Sequence, residues 1–297
     1  MKYIKMLSLL ASFVISFTLQ GQNSLTYNLK KGSVFKVKQH ANQIITQKIR
    51  DTEHEITNNL TAIYNFKVVD VDEKGFDLTF TYLDFTNKSN SNLQGIVMDV
   101  KAKEYVEGDI MSEMFHSVLG HELKMRMNVN GSVVSIEGGD ELIKKMITAA
   151  GIDDQSTISL VKQSLGKEFS SDGLGKSFEQ MTFFYPDTKV SIGDTWENTY
   201  NGKLSSNNTF KLEKMEGNVT SISGTAAIVL DNEESGTIMS LSGSQETVIQ
   251  ANTTTGFIQK VIVTSLTKGS TEISQLGNSQ TIPTTIESTI TYELLEN

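Results

Sequence analysis

Apolar and polar residues alternate with a period of two over long stretches of this chain. After Gly32, the residues Phe35, Val37, Ala41, Ile45 and Ile49 share one parity, with Lys36, Lys38, Asn42 and Lys48 on the other. Ile56, Leu60, Ala62, Tyr64, Phe66 and Val68 follow in the same way, Asp72-Glu73-Lys74-Gly75 turns the chain, and Phe76, Leu78, Phe80 and Tyr82 return. Alternation of this kind marks half-buried strands. These strands run well past the usual ~5–6 residues. Consecutive long antiparallel strands accumulate twist, so a strongly curved sheet or partial barrel is expected.

The period then changes. Asp109 precedes a helical stripe of Ile110, Met111, Met114, Phe115 and Val118 that ends at Gly120. Leu123, Met125, Met127 and Val129 alternate as a strand up to Asn130-Gly131, which predicts a two-residue hairpin with positive φ at both positions. Three more helices are expected: one from Asp140 through Leu142, Ile143, Met146 and Ile147, one through Ile158, Val161 and Leu165 that stops at Gly166, and a short one through Leu174, Phe178 and Met181. From about Thr182 the pattern returns to strands, over 210–215, 219–222, 226–230, 238–251, 257–266 and 282–294. The only prolines, Pro186 and Pro283, leave room for long strands. The fold class expected is therefore α+β and β-rich, with a few helices packed on curved antiparallel strands.

The two β-rich halves, 22–137 and 183–297, share an order of events across a helical connection at 138–182. Gly32-Ser33-Val34-Phe35 opens one and Gly193-Asp194-Thr195-Trp196 the other, with apparent turns at Gly75 and Gly224 and again at Gly131 and Gly256. An internal duplication would account for this, and so would the likeness of any two meanders. Residues 22–297 are expected to form one structural unit.

The first residues differ from the rest. Lys2 and Lys5 precede an apolar run from Met6 to Leu19, and Gly21 is a small residue suited to a cleavage site. That is the order of a secretory signal, and the run is shorter than the ~20 residues that cross a bilayer. Cleavage after Gly21 is expected, with an exported product that is periplasmic or extracellular. The chain has no Cys, so neither a lipid anchor nor a disulfide framework is expected. Roughly 276 residues remain, enough to bury a sizeable core. With 26 Lys+Arg against 35 Asp+Glu, loss of Lys2 and Lys5 leaves 24 against 35, a formal charge of −11. Nucleic acid and anionic lipid surfaces are poor partners for such a chain.

Candidate chemistry is sparse. His116 and His121 are five apart rather than four, with Gly120 between them, so no metal is expected. Asp70, Asp72 and Gly75 begin like a calcium loop, but Lys74 and Thr81 stand where ligands are needed. Gly173-Leu174-Gly175-Lys176-Ser177 lacks the first glycine of a phosphate loop, whose position is Ser170. No Gly-x-Ser-x-Gly elbow occurs. Asp140-Glu141 and Asp153-Asp154 fit helix starts, where acids complement the dipole. No catalytic residue or cofactor is assigned.

Lys30-Lys31-Gly32-Ser33-Val34-Phe35, the block from Met125 to Gly139, and Val190-Ser191-Ile192-Gly193-Asp194-Thr195-Trp196 together resemble an uncharacterised family of exported Bacteroidota proteins, a domain of unknown function. The resemblance implies an envelope location and brings no known substrate. A looser likeness, of architecture alone, is to periplasmic lipoprotein carriers that hold acyl chains in a half-barrel. Methionines concentrate around the helices, and Met fills adaptable apolar space. The residues expected to line such space are Met111, Met114, Phe115, Met125, Met127, Met146, Phe178, Met181 and Trp196. The function expected is non-enzymatic binding of an apolar small molecule or an envelope protein. The alternatives are a structural or assembly module, and an envelope hydrolase whose acids the sequence does not reveal.

Overall fold

The computed structural model describes residues 22–201, 204–234, 237–275 and 278–296. The expected signal segment, 1–21, lies outside the described residues. The first half forms β1 (Val34–Ile49), β2 (Thr52–Val71), β3 (Gly75–Ser91), β4 (Gly95–Lys101), helix α1 (Ile110–His116), β5 (Leu123–Asn128) and β6 (Val133–Glu137). Helices α2 (Gly139–Ala149), α3 (Gln155–Phe169) and α4 (Ser171–Thr182) follow. The second half is all strand: β7 (Thr195–Tyr200), β8 (Leu204–Glu216), β9 (Val219–Glu234), β10 (Thr237–Asn252), β11 (Ile258–Gln275) and β12 (Asn278–Leu295). No helix among the described residues is long and apolar enough to cross a membrane.

All twelve strands belong to one antiparallel sheet, in the order β6-β5-β3-β2-β1-β12-β11-β10-β9-β8-β7, with β4 paired to the far half of β3. Each half is a meander, and the first and last strands of the chain join them at the centre. The sheet would close if β6 met β7, and it does not. Cross-strand neighbours show how the alternation reads in space: Phe35 lies opposite Phe66, and Phe66 opposite Phe80. In the next row Val37 is flanked by Tyr64 and Leu294. These rows build the concave face. Pro283 sits just past the last β1–β12 pair, Gln47 with Thr284, where β12 has lost one neighbour and a missing N–H is tolerated as at an edge.

Helix α4 occupies the gap left by the two unjoined edges. Its Phe178 ring packs edge-on against Tyr64, Phe66 and Phe80, with centroids 5.3, 5.6 and 4.8 Å away. On one side the Glu179 carboxylate accepts from the backbone N–H of Val133 on β6, at 3.2 Å. On the other, the chain leaving α4 is held to β7. The Phe183 carbonyl accepts from Tyr200 Oη (2.6 Å) and Asn198 Nδ2 (3.1 Å), and the Phe184 carbonyl from Trp196 Nε1 (2.9 Å). The segment before β1 adds a brace. Leu25, Tyr27 and Leu29 are buried, Asn23 bridges to Val190, and Tyr27 Oη donates to the Thr182 carbonyl at 3.0 Å.

Several local features differ from the sequence expectation. Only Gly131 of the Asn130-Gly131 pair has positive φ. Gly131 N donates to the Asn128 carbonyl at 2.9 Å, so four residues turn the chain, and the Asn130 side chain accepts from Ser132 N instead. Gly166 does not stop α3, which runs to Phe169. Helix α2 begins at Gly139, with Gly138 as its cap. Gly224 is no turn, because β9 passes through it without a break and the ring of Phe210 on β8 lies over it. Strand β4 has no counterpart in the alternation pattern. The openings of the two halves do share a detail: Gly32 N donates to Val68 O and Gly193 N to Leu212 O, both at 2.8 Å.

Candidate functional site: a two-chambered cleft under the helices

Helices α3 and α4 cover only part of the concave face. Of the fifteen residues of α3, Phe169 alone is buried, and Leu160 is 65% exposed. Asp154 starts this helix by accepting from Thr157 N at 2.8 Å, which frees its partly buried stripe of Ile158, Val161 and Leu165 to face inward. Beside Leu165, between the helices and the sheet, lies an open, mostly apolar cleft of about 360 Å³. Leu60, Tyr64, Tyr82 and Phe85 form its sheet side, and Phe115, Leu165, Phe169 and Phe178 its helix side. The rings brace one another. Phe85 and Phe115 stack at 5.1 Å, and Phe169 lies edge-on to both at 6.1 Å.

A second cleft of about 420 Å³ opens on the other side of Gln39, Glu168 and Ser177, which border both. Its lining is mixed: Lys167, Asp172, Lys176, Gln180 and Asn201 stand beside Leu204, Ile290, Tyr200 and Tyr292. Lys176 pairs with Asp172 at 2.7 Å across one turn of α4. At the boundary Tyr64 Oη donates to Gln39 Oε1 at 2.6 Å. Burial pushes the hydroxyls of Tyr64, Tyr82, Tyr200 and Tyr292 well above their ordinary value. They are neutral hydrogen-bonding groups at physiological pH, and none is poised for proton transfer near neutrality.

Of the residues expected to line apolar space, Phe115 and Phe178 border the apolar chamber. Met114, Met127, Met146 and Met181 are buried in the packed core, and Met111 is exposed on α1. Met125 is buried and lines a separate groove of about 320 Å³ with Leu78 and Arg126. Trp196 is partly buried at the β7 edge, its ring 6.1 Å from Phe210. Sequence reasoning missed the sheet side of the cleft. Leu60, Tyr64 and Tyr82 were visible as inward positions of their strands, but nothing marked where helix cover ends.

The other motifs resolve into local structure. Asp72 accepts from Lys74 N and Gly75 N, and hydrogen bonding by Arg126 is the main reason its carboxyl is drawn down to about 2. His116 Nδ1 lies 2.8 Å from the Ala102 carbonyl, and His121 Nε2 lies 3.4 Å from that of Gly138. Among the described residues no three His, Asp or Glu side chains gather where they could hold a metal.

Residues 73–258 match a family of unknown function, DUF6263. The chain belongs to that family. No curated protein matches it. Among solved structures it is similar to lipovitellin, at 11% identity and a TM-score of 0.51 over 91% of this chain and 26% of that one. The chain thus spans about a quarter of lipovitellin's length, and the likeness is one of fold. Weaker matches are an outer-membrane channel from Pseudomonas putida F1 and the translocator domain of the autotransporter NalP from Neisseria meningitidis. They are 7% and 6% identical, cover 91% and 90% of this chain and 97% and 89% of their own, and at TM-scores of 0.20 carry no argument.

One titration reports on the seam beside the cleft. Burial raises the Glu179 carboxyl above its ordinary value of 4.5, more than the Val133 hydrogen bond lowers it. A raised carboxyl means that the charged form is disfavoured by folding, so its cost is present above the folded value and vanishes below about 4.5. Glu179→Gln keeps the acceptor for Val133. It should raise the thermal midpoint at pH 7 and match the parent protein near pH 4. Equal midpoints at both pH values would show that the seam does not desolvate this group.

Proposed function

We propose that the chain is exported and serves as a non-enzymatic cell-envelope protein that binds a hydrophobic ligand between its curved sheet and helices α3 and α4. The observation that carries this reading is the apolar chamber: about 360 Å³, already open, and faced by mutually packed aromatic rings. A concave apolar site with a few polar groups at one end is the usual form of a small-molecule pocket. The signal pattern at residues 1–21 supports export, and lipovitellin, described for its lipid–protein interactions, shares the fold. Its lipid binding is a property of a much longer chain.

Blocking the chamber without disturbing the core tests the reading. Ser177 is exposed and borders both chambers, so Ser177→Trp should fill the opening while changing stability by no more than about 0.5 kcal/mol. A lipophilic dye should gain fluorescence with the parent protein and lose most of that gain with the variant. No gain with the folded parent protein would refute ligand binding. A protein-binding role rests on a different observation: Leu93, Ile96 and Val97, at the tip of the β3–β4 hairpin, are each more than half exposed.

A further inference from the structure

We propose that the ligand is a single-chain amphiphile with an uncharged, hydroxyl-rich head group, such as an alkyl glycoside. Its chain lies in the apolar chamber and its head on a row of amide and hydroxyl side chains just beyond. The proposal rests on the binding reading above and specifies its substrate class.

Strand register makes the row. Ser89, Asn58, Gln43, Ser288, Ser265 and Gln245 stand side by side on β3, β2, β1, β12, β11 and β10. They face inward: Asn58 and Ser89 come two residues from Leu60 and Asn87, which line the chamber. Two residues along a strand is about 7 Å on the same face. The concave face thus passes from aromatic rings to Leu60 and then to six polar side chains. Ser89 and Gln245 are buried, while Asn58, Gln43, Ser288 and Ser265 between them are only partly so. Among these four the one side-chain hydrogen bond runs from Asn58 Nδ2 to Gln43 Oε1, at 3.2 Å. Two amides and two hydroxyls can make many more than that, so most of their capacity is left for another molecule.

Charge selects the head. None of the six is charged. Across the same strands the inward rows on either side, one through Leu60 and Ala41 and the other through Ile56 and Ile45, carry no charge either. Glu168 is the one charged residue lining the chamber, and it already has an interaction of its own. A carboxylate head offers acceptors alone and an ammonium donors alone, and either would leave water with no opposite charge waiting on the row. A hydroxyl both donates and accepts, which matches amides and serines. The four partly buried positions sit on adjacent strands and span about 14 Å, enough to meet several hydroxyls at once.

Displacement of a lipophilic dye from the full chain tests this, with decyl glucoside, decanol, decanoate, decylphosphocholine and decyltrimethylammonium compared as monomers. The glucoside should bind about tenfold more tightly than each of the others, decanol included. The Gln43→Leu/Asn58→Leu double variant removes both partners of one hydrogen bond and so leaves no orphaned group. It should take up dye as the parent protein does and lose the margin of glucoside over decanol. Ser288→Ala, a smaller change, should narrow that margin too. A glucoside no tighter than decanol in the parent protein, or a preference for any charged head, would overturn the head-group assignment while leaving the apolar site standing. So would a dye-binding double variant that keeps the parent's ranking. Dye uptake that no amphiphile displaces would also overturn it. No dye uptake by the parent protein would remove the binding reading itself, and this proposal with it.

Discussion

Phe178→Ala should lower the unfolding free energy by about 3–5 kcal/mol, the range for removing a buried phenylalanine from a packed core. Phe178 is 4% exposed, and its ring packs against Tyr64, Phe66 and Phe80 together. Its loss leaves a void that the sheet cannot collapse to fill, because each of those rings is fixed in a cross-strand row. The void would also open onto the apolar chamber, which Phe178 borders. Phe178→Leu keeps most of the volume and should cost under about 1.5 kcal/mol. Urea denaturation followed by tyrosine and tryptophan fluorescence measures both. An alanine variant that loses less than about 1 kcal/mol would show that α4 is not anchored in the concavity.

Gly131→Ala should be comparably severe for a different reason. Gly131 has φ +94°, where an added Cβ is strained, and the methyl would meet the Thr182 carbonyl and the Tyr27 ring. That carbonyl cannot withdraw easily. It accepts from Tyr27 Oη, and Thr182 Oγ1 donates to the Gly131 carbonyl at 2.7 Å. The backbone strain of ~1–2 kcal/mol and the collision together should cost at least about 3 kcal/mol. Gly32 supplies the control. Its φ is +87°, and nothing lies within 4 Å of an added Cβ, so Gly32→Ala should show the backbone part alone. Equal losses from the two variants, by equilibrium denaturation, would mean that the junction at Thr182 yields.

Much of this architecture is legible in the residues. Alternation placed β1, β2 and β12 to within a few positions, because each buries one face over a long run and Val, Ile, Phe and Tyr mark that face, whereas β3 was followed only to Tyr82 and runs on to Ser91. Strand β4 escaped because it buries only Val100 fully and leaves Ile96 and Val97 to solvent. Gly224 read as a turn because glycine is the commonest punctuation between strands, whereas here it makes room for the Phe210 ring. The extent of β11 was cut short at Leu266 because Thr267, Lys268, Gly269, Ser270 and Thr271 look like a connection. Thr267 and Thr271 are in fact buried inward positions. The methionines signalled apolar space near the helices without distinguishing filled from open. That distinction depends on how far α3 stands off the sheet, and its stripe of Ile158, Val161 and Leu165 does not encode a distance. Pairing order is likewise absent from periodicity, since a strand's alternation is the same whichever neighbour it has.

The pairing of β1 with β12 bears on how the chain comes to be folded. Lys36 lies beside Leu295, so the middle of the sheet joins its first strand in sequence to its last. During synthesis β1 waits with one bare edge until β12 has been made, long after the rest of its own half. Joining segments so distant in sequence is slow, because the entropy of closing the loop is lost before the ladder forms. Exposed edges in the interval invite wrong partners. For a chain that must pass through a membrane channel as a thread, as proposed from its signal segment, the same delay is an advantage. The sheet cannot be completed before its last strand emerges, so translocation can proceed on a polypeptide that has not yet locked shut.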